Sequence, residues 1–280
     1  MMTPKEMETI KKQKQIFMIN DDDDESTIQN KKKYMEFIQL LEEKGILAAK
    51  TMDDFEVLRV FENGRSEVFK AIEKNDENAD LEKKPFKAIK KIEVFLKGTM
   101  SQMNEISYNF VLNHKNILKL EKVFFQQNDA NGNDRFTCFL VMPFVENDFM
   151  SWLVKDQAGR GWKGHSGKTD FLFAFEILIL NVLISNLIKK GLILKSKRNF
   201  EEVRDIFTQI LEGLAFMHSK DYSHLDIKFD NILIDENNCV KIADLGLTKQ
   251  TGKDISITVS NIGYTPGMKF FSIIIFFFIF

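Results

Sequence analysis

The chain has 280 residues, of which 44% are hydrophobic and 29% are charged, and 39 basic side chains nearly balance 41 acidic ones for a formal net charge of -2. That length accommodates one large domain or two small ones, and the balanced charge favours no nucleic-acid partner. The 4 prolines and 14 glycines exclude a collagenous or proline-rich linker protein. The two cysteines, Cys138 and Cys239, exclude a disulfide scaffold and suit a reducing compartment, so we expect a cytoplasmic protein.

Residues 1–50 form a charged extension for which the sequence predicts one short helix. The first fifteen residues lack the apolar core of a secretory signal. Runs of opposite charge at 21–24 and 31–33 predict a solvated linker. Four apolar residues then follow the i, i+3, i+4, i+7 spacing of an amphipathic helix: Tyr34, Phe37, Ile38 and Leu41.

Residues 55–145 have the pattern of an antiparallel sheet with one helix. Short apolar runs rich in β-branched residues alternate with turn-forming segments, of which Asn131-Gly132 is the strongest turn signal. The predicted strands lie at 55–60, 67–72, 86–92, 118–126 and 137–142, and the predicted helix at 100–112.

The second half of the chain is predicted to be mainly helical. A helix begins at Asp148, and a clear amphipathic helix runs from Phe200 to about Ser219. Two short strands come next, at 232–234 and 240–242. These strands frame the segment that carries the candidate chemistry.

Four polar residues of the segment 222–246 are suited to phosphoryl transfer. Asn231 and Asp244 flank the two short strands, so a hairpin brings them together, and their oxygens are the hard ligands that Mg²⁺ prefers. Asp226 can accept a hydroxyl proton, and Lys228 can neutralise developing phosphate charge. Positioning, metal and charge are the requirements of this reaction.

These residues resemble motifs of the protein kinase family, in its serine/threonine branch. Residues 224–231, H-L-D-I-K-F-D-N, match the catalytic-loop pattern H-R-D-x-K-x-x-N, and residues 244–246, D-L-G, match the metal motif D-F-G. Residues 88–90, A-I-K, look like the family's V-A-I-K strand, which ends on Lys90. Glu105 stands where the family's helix carries the glutamate that pairs with this lysine.

The resemblance implies an α+β, bilobal protein-kinase-like fold. Residues 55–145 would form an N-lobe with an antiparallel sheet and one helix, and 146–267 a mainly helical, truncated C-lobe. The implied reaction transfers the γ-phosphoryl group of ATP to a Ser or Thr hydroxyl of a protein substrate, with ATP and Mg²⁺ as cofactors. In the implied roles, Asp226 and Lys228 are catalytic, Asn231 and Asp244 hold Mg²⁺, and Lys90, braced by Glu105, holds the α- and β-phosphates.

The resemblance also implies an adenine site between the lobes. Met142 would be the gatekeeper, Phe144 and Val145 would offer backbone groups to adenine, and Asp148 would reach the ribose. The pocket would be lined by Leu58, Val68, Ala88 and Leu233.

The sequence departs from the family pattern at two local positions. Phe61, Asn63 and Ser66 occupy the three glycine positions of the loop that approaches the phosphates, which predicts weak or slow nucleotide use. Leu225 replaces the arginine that in the family grips a phosphate on the activation loop. This replacement argues against activation by phosphorylation of that loop.

Two apolar segments interrupt the pattern. Residues 171–188, inside an insertion at 156–198, look membrane-like, but one crossing would separate the two lobes, so we expect no membrane span. The tail 268–280 replaces the family's A-P-E motif and its later helices. Both segments are rich in Phe and Ile, and our hypothesis is that both are translated non-coding sequence; a transcript that contains them would refute it.

Two other interpretations remain open. The first is an inactive pseudokinase or truncated nucleotide-binding scaffold, which the altered glycine loop and the missing A-P-E motif favour. The second is a membrane-anchored protein, which rests on 171–188 alone. A phosphotransfer assay separates the kinase from the scaffold, whereas the substrate, the kinase subfamily and the oligomeric state are not encoded in any motif we recognise.

Overall fold

A computed structural model describes residues 2–63, 66–74, 85–96, 103–127, 135–154 and 200–250. The insertion 156–198 and the tail 268–280 lie outside the described residues, so the hypotheses about them stay predictions. No helix within the described part of the chain is long and apolar enough to cross a membrane.

The described elements keep the predicted order along the chain and include one helix and three short strands that the sequence did not predict. The helices are α1 (Pro4–Gln15), α2 (Glu25–Glu43), α3 (Asn104–Val111), α4 (Phe149–Val154) and α5 (Phe200–Ser219). The strands are β1 (Phe55–Asn63), β2 (Ser66–Glu73), β3 (Lys87–Phe95), β4 (Lys122–Gln127), β5 (Arg135–Pro143), β6 (Asn147–Asp148), β7 (Tyr222–Ser223), β8 (Ile232–Ile234), β9 (Val240–Ile242) and β10 (Lys249–Gln250).

The first half contains a five-stranded antiparallel sheet in the order β1-β2-β3-β5-β4. Because side chains alternate along a strand, directly paired residues share a face. Val68 of β2 pairs with Lys90 of β3 on the face that also carries α3, and Phe69 pairs with Ile89 on the opposite face. Each face packs against its own apolar cluster, and the predicted N-lobe architecture is confirmed.

The N-terminal extension is more structured than the sequence predicts. It contains two helices instead of one, and each has an N-cap: Thr3 forms a capping box with Glu6, and Asp24 caps α2 through the Thr27 amide. Five of the seven residues in the two charged runs are exposed as expected, but residues 31–33 belong to α2 instead of a linker, and Lys31 is 4% exposed and bonds to the Asp23 carboxylate. A buried ion pair of this kind fixes the loop before α2 onto the helix.

The second half of the described structure packs α4 and α5 against the small sheet β6-β8-β9. The α5 side chains that face this core are all buried, namely Ile206, Phe207, Ile210, Leu214 and Met217. The sheet is joined to the first half by backbone hydrogen bonds from Leu118 N to Ile242 O and from Ile242 N to Asn116 O, both 2.8 Å. These bonds place the end of β9 beside the N-lobe.

Candidate active site

Three charged side chains from distant parts of the chain meet between the two halves. The Lys90 ammonium donates to both Glu105 oxygens, at 2.9 and 2.8 Å, and to Asp244 Oδ1 at 2.7 Å. Lys90 comes from β3, Glu105 from the first turn of α3, and Asp244 from the segment after β9. Only 7% of Lys90 and 5% of Glu105 are exposed, so the lysine–glutamate pair is shielded from water.

The local backbone explains how Asp244 reaches this cluster. Asp244 has a left-handed conformation with φ of 62°, and its carboxylate caps the short turn Leu245–Leu247 through Gly246 N at 3.3 Å. A Cβ on Gly246 would lie 3.1 Å from Asp244 Oδ1 and 3.4 Å from Glu105 Oε2. Glycine at this position therefore lets the turn approach both carboxylates closely.

The electrostatics of the cluster favour charge on Lys90 and Asp244 and oppose it on Glu105. Burial alone would lower the pKa of Lys90, but Glu105 and Asp244 outweigh burial and raise it. Burial alone would raise the pKa of Asp244, but the charge of Lys90 and its hydrogen bond hold that pKa below the usual value. Burial raises the pKa of Glu105 despite its bonds to Lys90. Lys90 thus favours the ionised form of Asp244, whose side chain is 39% exposed, whereas burial works against ionisation of Glu105.

A second cluster lies in the loop between β7 and β8. The Lys228 ammonium is 3.0 Å from Asp226 Oδ2, and the Asn231 amide nitrogen donates to Asp226 O and Oδ2, at 2.8 and 3.0 Å. The residue before Asp226, Leu225, has a positive φ of 65°, which is strained for a side chain of this size. The loop therefore holds Asp226 in one orientation between an ammonium and an amide.

His224 connects the two clusters. Its Nε2 lies 3.0 Å from Ala243 O, and its Nδ1 accepts a bond of 3.3 Å from Asp226 N. An additional bond of 2.9 Å joins Ala243 N to Asn231 O. Burial lowers the pKa of His224, so the neutral ring with a proton on Nε2 satisfies both contacts. The histidine braces the loop and thereby links the Asp226 backbone to the segment that leads to Asp244.

Most of the predicted adenine-site residues lie together. They are part of, or pack against, one apolar cluster: Val68, Ala88, Met142, Phe144, Val145 and Leu233. Asp148 lies beside this group, since its β6 position pairs with Leu233 and its Oδ1 accepts from Ser151 N at 2.7 Å. Leu58 is placed differently: it is 46% exposed, has no paired residue at an irregularity in β1, and belongs to none of the clusters.

Sequence reasoning missed an aromatic residue beside this apolar group. Phe61, which was assigned to a glycine position, pairs directly with Val68 and therefore shares its face of the sheet. Its ring centroid is 6.0 Å from that of Phe144. Lys70 places its ammonium 4.4 Å from the centroid of the Phe144 ring and pairs with Glu146 at 2.7 Å. The hairpin register, counted from Val68, would have identified Phe61.

The oxygens of Asn231 and Asp244 suit Mg²⁺ better than a metal ion whose ligands all come from the protein. In the described residues no group of three or more His, Cys, Asp or Glu side chains is arranged to hold a metal ion. Mg²⁺ commonly takes one or two protein oxygens and completes its shell with water and phosphate. Asp244 offers carboxylate oxygens, and Asn231 offers its amide oxygen because the amide nitrogen is used by Asp226.

Similarity to known proteins identifies the family. A family model described as the protein kinase domain matches residues 62–267, which is more than half of the chain, so the chain belongs to the protein kinase family. The antiparallel sheet with α3 and the mainly helical second half are the described parts of that α+β fold.

Three similar proteins are all named as protein kinases. The probable serine/threonine-protein kinase MRK1 homolog of Encephalitozoon cuniculi is 55% identical over 49 residues, 18% of this chain and 15% of the relative. Cyclin-dependent kinase 12 of Drosophila melanogaster is 27% identical over 157 residues, 55% of this chain and 10% of the relative. Mitogen-activated protein kinase kinase kinase 1a of Physcomitrium patens is 39% identical over 85 residues, 30% of this chain and 10% of the relative. Each match thus spans only a small part of the relative's length.

Proposed function

We propose that this protein is a serine/threonine protein kinase that transfers the γ-phosphoryl group of ATP to a hydroxyl of a protein substrate. The observation that carries the proposal is the bonding of Lys90 to both Glu105 and Asp244, which is 154 residues away in the chain. This contact supports a single site built by both halves. Its chemistry is that of a phosphate-binding cation next to a metal-binding carboxylate.

The proposed nucleotide site uses the cleft between the sheet and the β6-β8-β9 hairpin. Adenine contacts the apolar group around Ala88 and Leu233, and Phe144 and Val145 provide backbone groups beside it. Lys90 holds the α- and β-phosphates while Glu105 keeps its ammonium in place. Asn231 and Asp244 would hold Mg²⁺, which would neutralise phosphate charge.

The proposed transfer uses the second cluster. Asp226 orients the substrate hydroxyl and takes its proton as the hydroxyl oxygen forms a bond to the γ-phosphorus and the bond from that phosphorus to the β–γ bridging oxygen breaks. ADP leaves with the electrons of the broken bond. Lys228, already 3.0 Å from Asp226 Oδ2, neutralises charge on the transferred group.

The free thiols Cys138 and Cys239 support a reducing compartment such as the cytoplasm as the place of action.

The test of this function is the change Asp244→Asn. It keeps the size of the side chain and removes the charge that pairs with Lys90 and serves the metal, so Mg²⁺-dependent ATP turnover should be lost. Asp205→Asn is the matched control, because Asp205 lies on α5 with 69% of its side chain exposed. Unchanged turnover in Asp244→Asn would contradict the assignment.

A nucleotide-binding scaffold is the second candidate, and the position of Phe61 favours it. An aromatic ring stands where the family has a glycine, beside Phe144 in the proposed nucleotide cleft. Glycine there lets backbone amides approach phosphates, so its loss weakens phosphate contacts more than base contacts. ATP binding without phosphotransfer by the unaltered chain would identify the scaffold.

A further inference from the structure

The segment before the family match is built into the fold. The match begins at residue 62, but residues 4–50, which we call the N-terminal brace, contribute a large share of one apolar core. Six of its apolar side chains are at most 5% exposed: Ile10, Phe17, Tyr34, Ile38, Leu41 and Leu47. A segment that buries this much apolar surface is held firmly against the sheet.

Backbone contacts fix the brace to the edge strand β4. Gln13 is 3% exposed; its amide nitrogen donates to Ala48 O at 2.8 Å and Lys50 O at 3.2 Å, and its amide oxygen accepts from Phe125 N at 3.0 Å. The turn after α2 pairs in parallel with β4, through Ala48 N to Val123 O at 2.7 Å. These bonds cover an edge that would otherwise expose unpaired backbone groups.

Aromatic packing connects the same region to the interior of the sheet. The ring of Phe17 lies 5.4 Å from Tyr34, 5.6 Å from Phe125 and 4.9 Å from Phe136, measured between centroids. The contacts with Phe125 and Phe136 are edge-to-face, the arrangement that aromatic quadrupoles favour. Helices α1 and α2 are thereby joined to β4 and β5.

The brace also shares one buried cluster with the helix that carries Glu105. Ile38 and Leu41 of α2 belong to the same buried cluster as Met103 and Ile106, which begin and line α3. Asn30 of α2 donates to Leu96 O at 2.8 Å, immediately after β3. Helix α3 has only eight residues and no side-chain cap at its N-terminus, so its own backbone provides little stability. Its position must come from the side chains that pack on it.

We propose that the N-terminal brace sets the position of α3 and through it holds Glu105 against Lys90, with Asn30 and Ile38 as positioning residues. The predicted effect on ATP binding rests on the proposed function, whereas the predicted effect on the position of α3 does not. The chain supplies from its own N-terminus the apolar surface that orients this helix. Residues outside the family match thereby contribute to the geometry of the site.

Amide hydrogen exchange on the full chain tests the first step. Ile38→Ala removes a fully buried side chain, and we expect the amides of residues 105–111 to exchange at least tenfold faster while those of 232–242 keep their protection. Gln39→Ala, at the neighbouring exposed position, should change neither segment. Unchanged protection of α3, or an equal rise in both segments, would overturn the proposal. If Ile38→Ala does not fold, Ile38→Val should show the same pattern with a smaller increase.

A double-mutant cycle tests the second step. Ile38→Ala should weaken ATP affinity severalfold in the unaltered chain and have no further effect in the Glu105→Gln background, because the brace acts through Glu105. Equal losses in both backgrounds would show a merely structural role and overturn the positioning claim. If neither chain binds ATP, the proposed function fails, and the exchange result still decides whether the brace positions α3.

Discussion

Lys90 is held by two carboxylates that come from different parts of the chain. Removing one partner of a buried pair leaves an uncompensated charge and costs about 3–5 kcal/mol.

The four residues proposed for catalysis and metal binding were found from the sequence because they lie within a short segment with fixed spacing, from Asp226 to Asp244. Leu58 was harder to place, because its neighbourhood depends on an irregularity of strand register that no local pattern announces.

The stability of the protein should depend on pH through His224. Burial lowers its folded-state pKa below the ordinary value of 6.5, so the unfolded chain binds the proton first as pH falls. The stability contributed by the neutral ring is complete above pH 6.5 and is lost as pH falls through the folded-state pKa. Urea unfolding at about pH 7.5 and about pH 5.5 should show a larger loss for the unaltered protein than for His224→Gln. His218→Gln, at an exposed position, should keep the full loss; equal losses in all three proteins would refute the prediction.

The buried hydroxyl of Tyr34 allows a test of what an unpaired polar group costs in stability. Its hydroxyl has no hydrogen-bond partner among the described residues, and burial raises its pKa to about 12. Removing an unpaired buried hydroxyl relieves a desolvation cost of about 1–3 kcal/mol, so Tyr34→Phe should leave the unfolding free energy unchanged or raise it. Tyr34→Ala should lower it by about 3–5 kcal/mol. Denaturant unfolding of both variants measures this, and a marked loss in Tyr34→Phe would contradict the unpaired state of the hydroxyl.

At the scale of elements, the sequence predicted α5 and seven of the ten described strands, but neither the two-residue strands β6, β7 and β10 nor the size of the N-terminal extension. Periodic apolar residues identify α5 and the centre of α2, because these helices bury one face. Helix α1 buries only Ile10 and Gln13, and the burial of a glutamine depends on bonds to β4 and to the turn after α2. Contacts between distant segments carry no local signal, which is why this helix was missed.

Gly213 of α5 lies close to Ile242 and Asn116. A Cβ there would lie 2.7 Å from Ile242 Cδ1 and 3.3 Å from Asn116 O, so Gly213→Ala must shift the tip of the Ile242 side chain and crowd the Asn116 backbone. By helix propensity alone, replacing glycine with alanine would raise the free energy of unfolding by about 1 kcal/mol. We expect a net loss of about 1–3 kcal/mol in urea unfolding instead. Ala215→Gly, on the exposed side of α5, measures the difference in helix propensity between alanine and glycine without a packing effect. A higher free energy of unfolding in Gly213→Ala would contradict the close packing at Gly213.

For the whole molecule, the described parts form a kinase fold with an additional N-terminal layer. The sheet provides Lys90, α3 provides Glu105, and the second half provides Asp226 and Asp244. The fold class was predictable because several ordered motifs agreed with the pattern of strands and helices. The N-terminal brace was not predictable from the family motifs, because it lies before residue 62, where the family match begins.

The central claim is that both clusters form one phosphotransfer site. The most direct measurement is the transfer of labelled γ-phosphate from ATP to a mixed protein substrate in the presence of Mg²⁺. We predict label on Ser or Thr with the unaltered chain, a loss of at least about 100-fold in Asp226→Asn, and no loss in the exposed control Asp205→Asn. Equal transfer by Asp226→Asn, or ATP binding by the unaltered chain without any transfer, would contradict the claim.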